Sequence, residues 1–77
     1  MQIKLVTPSP KGIVDGNRVT VRRWARILKR LGHRAWIGGQ YQGDSCDLLI
    51  AVHASKSFPS IRRFHRKHPD RALVVVL

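Results

Sequence analysis

The sequence predicts an α/β protein built on a Rossmann-like parallel sheet, in the order strand, helix, strand, strand, helix, strand. Three apolar runs, at residues 3–7, 47–52 and 73–77, are nearly continuous rather than alternating, which is typical of parallel strands buried on both faces. Between them, two segments repeat apolar residues at helical spacing. Crossover helices of this kind pack on the sheet. We therefore expect a three-layer but partial domain, half of a doubly wound fold.

The first strand is predicted over residues 3–7, IKLVT, and a turn-rich loop follows it. A helix is predicted over residues 18–31, with Asn17 capping its start and Gly32 forming a left-handed cap after its end. Its inward stripe is predicted to comprise Val21, Trp24, Ala25, Leu28 and Leu31.

A shorter strand is predicted over residues 34–37, before the strand at residues 47–52. The second helix is predicted over residues 58–68, with Ser57 as its cap and Pro59 in its first turn. Ile61 and Phe64 are expected to face inward.

The last predicted strand, residues 73–77, closes the sequence with no turn or helix after it. A core-type strand in that position would leave a face and an edge uncovered. We therefore expect residues 1–77 to be a single partial domain taken from something longer.

Composition limits the function classes. A chain of 77 residues can form one small domain, and its single cysteine, Cys46, cannot form an internal disulfide. Neither a signal peptide nor a membrane-spanning run is recognisable, so the expected location is cytoplasmic.

The net charge of +11 raises nucleic acid or anionic membrane as partners. Most of the basic residues fall on the two predicted helices, where charges normally form the solvated face, and the aromatic residues mostly follow the apolar stripes. Those observations disfavour nucleic acid. The alternative that remains is a small basic module for nucleic acid or anionic surfaces, and peripheral membrane contact would be an accessory property.

The loop between the first strand and helix has the composition of a phosphate site. Gly12 and Gly16, with Lys11 and Arg18 beside them, would let backbone amides and cations converge on one anion at the helix start. The loop matches neither the dinucleotide fingerprint nor the P-loop. Glycines that merely permit a tight turn are an equally good explanation.

His53 follows the predicted central strand, so it lies at the rim where open α/β sheets bind ligands. A histidine satisfied by a neighbouring backbone group would occupy the same position. His65 and His68 have a spacing that could share a metal, but no carboxylate or cysteine nearby completes a site. The residues thus indicate no metal and identify no catalytic group.

Three longer segments carry a family resemblance: TPSPKGIVDGNRVTVRRWARILKRLGHR, CDLLIAVHASKS and HPDRALVVVL. Together they resemble the amino-terminal domain of GT-B glycosyltransferases of the family 4 type, whose first helix ends in LGH. GNRVT and RWARIL are similar to the subgroup that includes the selenosugar synthases of selenoneine biosynthesis.

The resemblance implies a nucleotide-sugar-dependent transferase acting on a UDP-sugar and a small acceptor, which in the subgroup is selenophosphate. It assigns Gly12, Gly16, Asn17 and Arg18 to the cleft-facing loop and His53 to the cleft rim. GT-B enzymes generally use neither a bound metal nor a further cofactor.

Two departures from the family accompany the resemblance. Subgroup members tend to show HARRS where this chain has HASKS, so the cationic function expected at Ser55 is missing or is moved to Lys56. The carboxy-terminal donor-binding domain is absent from these 77 residues, and we expect no glycosyl transfer by them alone.

Overall fold

The computed structural model describes residues 1–8 and 16–76, with side chains from residue 18 onward in the second range. It contains, in chain order, β1 (Gln2–Val6), α1 (Gly16–Arg30), β2 (Arg34–Gly38), β3 (Leu48–Val52), α2 (Ala54–Lys67) and β4 (Ala72–Val76). The four strands form one all-parallel sheet in the order β2-β1-β3-β4. The predicted α/β fold class is confirmed.

The helices cover opposite faces of this sheet. Successive strand residues point to opposite sides, and Leu5 packs in the cluster that contains α1 residues whereas Val6 packs in the cluster that contains Phe64 of α2. The buried α1-side cluster comprises Ile3, Leu5, Val21, Ala25, Ala35 and Val52. The buried α2-side cluster comprises Val6, Tyr41, Cys46, Leu49 and Phe64. The fold therefore has three layers, with a separate half of the core on each side of the sheet.

The predicted cap at the end of α1 is confirmed, whereas the predicted cap at its start is wrong. The helix already includes Gly16, so Asn17 lies in its first turn and the prediction of Asn17 as cap is wrong, since a cap residue has non-helical backbone. At the other end, Gly32 has φ 91° and its amide donates to Lys29 O, while the His33 amide donates to Leu28 O. These bonds form a Schellman motif, and the predicted left-handed cap at Gly32 is confirmed by its positive φ. Leu31 follows the helix and is 68% exposed rather than inward.

α2 begins at Ala54, four residues earlier than predicted. A single residue, His53, separates it from β3, so Ser57 lies inside the first turn and its hydroxyl donates to Val52 O at 2.6 Å. Pro59 consequently falls inside the helix, beyond the first turn. The predicted inward position of Phe64 is confirmed, because its side chain is fully buried.

β4 differs from the other strands in its burial. Val74 and Val75, on opposite faces, are 45% and 42% exposed. Within the described part of the chain, β4 pairs only with β3. Burial on both faces, which is typical of such apolar runs, holds for β1 between its two neighbouring strands, whereas the expectation that the last strand leaves a face and an edge uncovered is confirmed for β4 among the described residues.

The connection from β2 to β3 builds a polar contact beneath α2. Lys4 of β1 is buried, and its Nζ donates to Asp44 Oδ2 at 2.6 Å. Trp36 Nε1 donates to the same oxygen at 3.4 Å. Partial burial raises the pKa of Asp44, but the hydrogen bonds from Lys4, the backbone and Trp36 outweigh it and hold that pKa below its usual value.

Candidate functional site at the carboxyl edge of the sheet

The carboxyl ends of all four strands lie at one edge, because the sheet is entirely parallel. Both helices begin at that edge, α1 after the loop that follows β1 and α2 directly after β3. A helix start presents unpaired amides and the positive end of the helix dipole. This edge is therefore the part of the fold best suited to an anionic ligand.

The connections that follow the neighbouring strands β1 and β3 run in opposite directions along the sheet. The chain leaves β1 through α1 to reach β2 on one side, and leaves β3 through α2 to reach β4 on the other. This divergence is the topological switch point, where open α/β sheets form a ligand crevice. We use "switch-point edge" for Thr7, the first turn of α1, His53 and Ser55.

The sheet register places the ends of these two strands side by side. Val6 pairs with Ala51, so Thr7 and His53 lie just beyond neighbouring strand ends. Thr7 is fully buried, and its amide donates to Gly38 O at 3.0 Å, which continues the ladder by one bond. The switch-point edge is thus fixed to the sheet by the backbone itself.

His53 has a left-handed backbone, with φ 64° and ψ 72°. Among the residues that the structure describes, no other non-glycine residue has a positive φ. This conformation is unfavourable for an L-residue, and strained residues of this kind concentrate at functional sites. This conformation lets the chain pass from the end of β3 to the start of α2 within a single residue. The His53 carbonyl accepts a hydrogen bond from the Ser57 amide at 2.9 Å.

The His53 imidazole is half-buried and in contact with Ser55, whose Oγ lies 3.3 Å from Nδ1. When the hydroxyl donates to Nδ1, Nε2 carries the ring proton and can donate to a ligand. The Ser55 hydroxyl is therefore one group that orients the His53 imidazole. Ser55, where the resemblance implies a cation, instead places its hydroxyl against His53.

The predicted site residues are partly brought together. Gly16, Asn17 and Arg18 form the start of α1, at the same edge as His53. Arg18 is half-buried, and Gly12 lies outside the described residues. Thr7 was missed, although a polar residue directly after a buried strand is the signal that identified His53.

The described residues contain no group of three or more His, Cys, Asp or Glu that could hold a metal ion. Nor does that part of the chain contain a helix long and apolar enough to cross a membrane. The polar groups of the switch-point edge are the backbone amides at the start of α1, the Arg18 guanidinium, the His53 imidazole and the hydroxyls of Thr7 and Ser55.

His53→Gly tests the strain at this junction. Glycine adopts a positive φ without a Cβ clash, so the variant should gain about 0.5–1 kcal/mol in free energy of unfolding even after the entropy of its more flexible unfolded chain. Urea denaturation followed by circular dichroism measures the change. His53→Ala is the matched control, because it removes the imidazole but keeps the Cβ, and it should show no gain. A glycine variant less stable than wild type would mean that the imidazole contacts outweigh the strain.

No protein-family model matches the chain, and a search of curated proteins finds no significant match.

Proposed function

We propose that this chain is the first half of the amino-terminal domain of a nucleotide-sugar-dependent glycosyltransferase of the GT-B type. The observation that carries the proposal is the switch-point edge, where the start of α1 and the strained His53 lie at the same edge of the sheet, after the ends of β1 and β3. The resemblance of GNRVT, RWARIL and the LGH helix end supports the same family. The selenosugar synthase subgroup, with selenophosphate as acceptor, is the finer proposal and rests on that resemblance alone.

In the transfer reaction, the bond between the anomeric carbon of the sugar and the diphosphate oxygen breaks while the acceptor atom bonds to that carbon. The electron pair stays on the departing diphosphate, so negative charge grows there in the transition state. Oriented amides and a cation near that oxygen stabilise the growing charge. Gly16, Asn17 and Arg18 supply these groups in our proposal, and Gly12 belongs to the same loop by resemblance.

His53 has the complementary role of binding the acceptor. Its Nε2 donates a hydrogen bond to the incoming group when Ser55 donates to Nδ1. An anionic acceptor would also be attracted by the surplus of basic side chains, which number fifteen against four acidic ones. The donor-binding domain, which the family implies and these 77 residues do not include, would close the cleft from the other side.

Titration with pyrophosphate, followed by amide NMR spectra of the full chain, tests this assignment. We expect the largest shifts at Gly16, Asn17 and Arg18 and smaller ones around His53, with millimolar affinity because half of the cleft is missing. Arg18→Gln should weaken binding about threefold to tenfold, the usual contribution of one partly exposed charged hydrogen bond. The matched control is Arg22→Gln, one turn further along α1, which should have little effect.

Shifts confined to the outer face of α2, or equal losses in the Arg18 and Arg22 variants, would overturn the proposed site. In a second experiment, the chain is mixed with a UDP-sugar and selenophosphate, and the release of UDP is followed. We expect no turnover by the 77 residues alone, and measurable transfer would contradict the role assigned to the missing domain.

A further inference from the structure

The outer face of α2 carries a groove lined by Pro59, Arg62, Arg63, Arg66 and Lys67. Within the described part of the chain, the one ion pair joins Lys4 to Asp44, so no carboxylate neutralises these four cations. Arg63 Nη1 donates to Tyr41 O at 3.3 Å and Lys67 Nζ donates to Gly43 O at 2.7 Å. These bonds hold both side chains in place, but a carbonyl does not cancel their charge.

An exposed aromatic ring lies at one end of this groove. Phe58 is 53% exposed, although most large apolar side chains of the helix face inward. The Arg62 guanidinium carbon lies 5.8 Å from the centre of the Phe58 ring, which is cation–π distance. The ring thus has a guanidinium over it and still leaves about half of the Phe58 surface exposed to solvent.

We propose that this surface, Phe58 with the four groove cations, binds single-stranded nucleic acid. An exposed ring accepts a stacked base of any sequence, and adjacent cations bind the phosphates on either side of it. From Phe58 to Lys67 the helix extends about 14 Å, enough for two or three nucleotides. The aromatic residues mostly follow the apolar stripes, which disfavoured nucleic acid, but Phe58 is an exception to that pattern.

Single strands fit this surface better than the other polyanions. In a duplex the bases are stacked on each other and cannot cover Phe58. A membrane would gain little from it, because a lone exposed phenylalanine among arginines offers few apolar side chains for insertion. The proposal does not depend on the glycosyltransferase assignment, since it uses none of the switch-point residues.

α1 provides an internal comparison of similar charge, with three groove cations against four on α2. Its own groove is lined by Arg22, Ala25, Arg26, Lys29 and Ile37, on the opposite face of the sheet. That groove contains cations but no aromatic side chain. If charge alone attracted nucleic acid, the two helices would contribute alike.

The test measures binding of a fluorescein-labelled ten-residue oligothymidine to the full chain by anisotropy, between 50 and 200 mM salt. We expect Arg62→Gln/Arg66→Gln to weaken binding about tenfold or more at the lowest salt and to reduce the slope of log K against log salt by about 1.4, which corresponds to two lost phosphate contacts. The pair avoids Arg63 and Lys67, which anchor the loop. Phe58→Ala should weaken binding at least about fivefold with an unchanged salt slope.

Arg22→Gln/Arg26→Gln removes the same charge from α1 and should change affinity less than threefold. Equal losses from the two double variants would overturn the proposal in favour of diffuse electrostatic attraction. An unchanged Phe58→Ala affinity, or tighter binding to a duplex of the same length, would overturn the stacking role. Stronger retention on phosphatidylserine vesicles than on oligothymidine, abolished by the α2 variants, would assign the surface to membranes instead.

Discussion

Phe64→Ala should destabilise this protein more than any other single substitution of an α2 side chain. Phe64 is fully buried in the α2-side cluster, and the Tyr41 ring meets it edge to face with centroids 5.3 Å apart. Removing a buried phenylalanine costs about 3–5 kcal/mol, since both its transfer free energy and its packing are lost. The total free energy of unfolding of a domain of this length is about 4–12 kcal/mol. The variant should therefore lose at least about a quarter of its free energy of unfolding, and all of it if the total lies at the lower end of that range.

Thermal and urea denaturation, followed by circular dichroism, measure the loss. Phe58→Ala is the matched control, because it is the same substitution on the same helix at an exposed position, and it should change the free energy of unfolding by less than about 1 kcal/mol. Comparable losses in the two variants would contradict the assignment of the inner face of α2.

Asp44→Asn should be the most damaging substitution of a charged residue. The Lys4 side chain is 7% exposed and that of Asp44 is 30% exposed, so the ammonium would lose its anion with little water to replace it. Breaking a fully buried pair costs about 3–5 kcal/mol. Because Asp44 is partly solvated, we expect about 2–3 kcal/mol, or a melting temperature lower by roughly 10–20 °C.

A double variant separates the destabilisation caused by an unpaired Lys4 charge from the net stabilisation that the Lys4–Asp44 ion pair provides. Lys4→Met/Asp44→Asn leaves no buried charge and should regain most of the loss, since an apolar isostere often replaces such a pair without penalty. Asp70→Asn, at an exposed aspartate, is the control and should be near neutral. A double variant as unstable as Asp44→Asn would show that the damage comes from other contacts of Asp44, such as Trp36.

The pH dependence gives an independent check on Asp44. Its pKa is lower in the folded state than the unfolded value of about 3.9, so its stabilising contribution is present above that value and is lost as pH falls through the lowered pKa. The Asp44→Asn variant lacks this contribution. The free energies of unfolding of the variant and of the wild type should therefore converge as the pH falls below about 4.

Local patterns in the sequence were sufficient for the element types. Continuous apolar runs identified the strands, helical spacing identified both helices, and Gly32 marked the end of α1 because few other residues adopt its φ of 91°. The start of α2 was misplaced because Ser57 has the composition of a cap but is used inside the helix, where its hydroxyl bonds to Val52 O. Sequence offers no sign that a single strained residue, His53, makes the turn.

The candidate site was predictable only in part. His53 and the start of α1 could be assigned to one edge because parallel strands share their carboxyl ends. The contact between Ser55 and His53 depends on the left-handed backbone of His53, which local propensity does not favour. The exposure of Phe58 could not be predicted for a related reason. It depends on where α2 begins and on which face the helix turns towards the sheet.

The sequence by itself determined the α/β class, the number and order of its elements and the basic character of its helix surfaces, because these depend on local periodicity and composition. Tertiary structure alone decided which residues face each other: that Lys4 is buried against Asp44 and that Tyr41 packs on Phe64. Such contacts join residues far apart in the chain. They depend on strand order and register, which no short segment of sequence specifies.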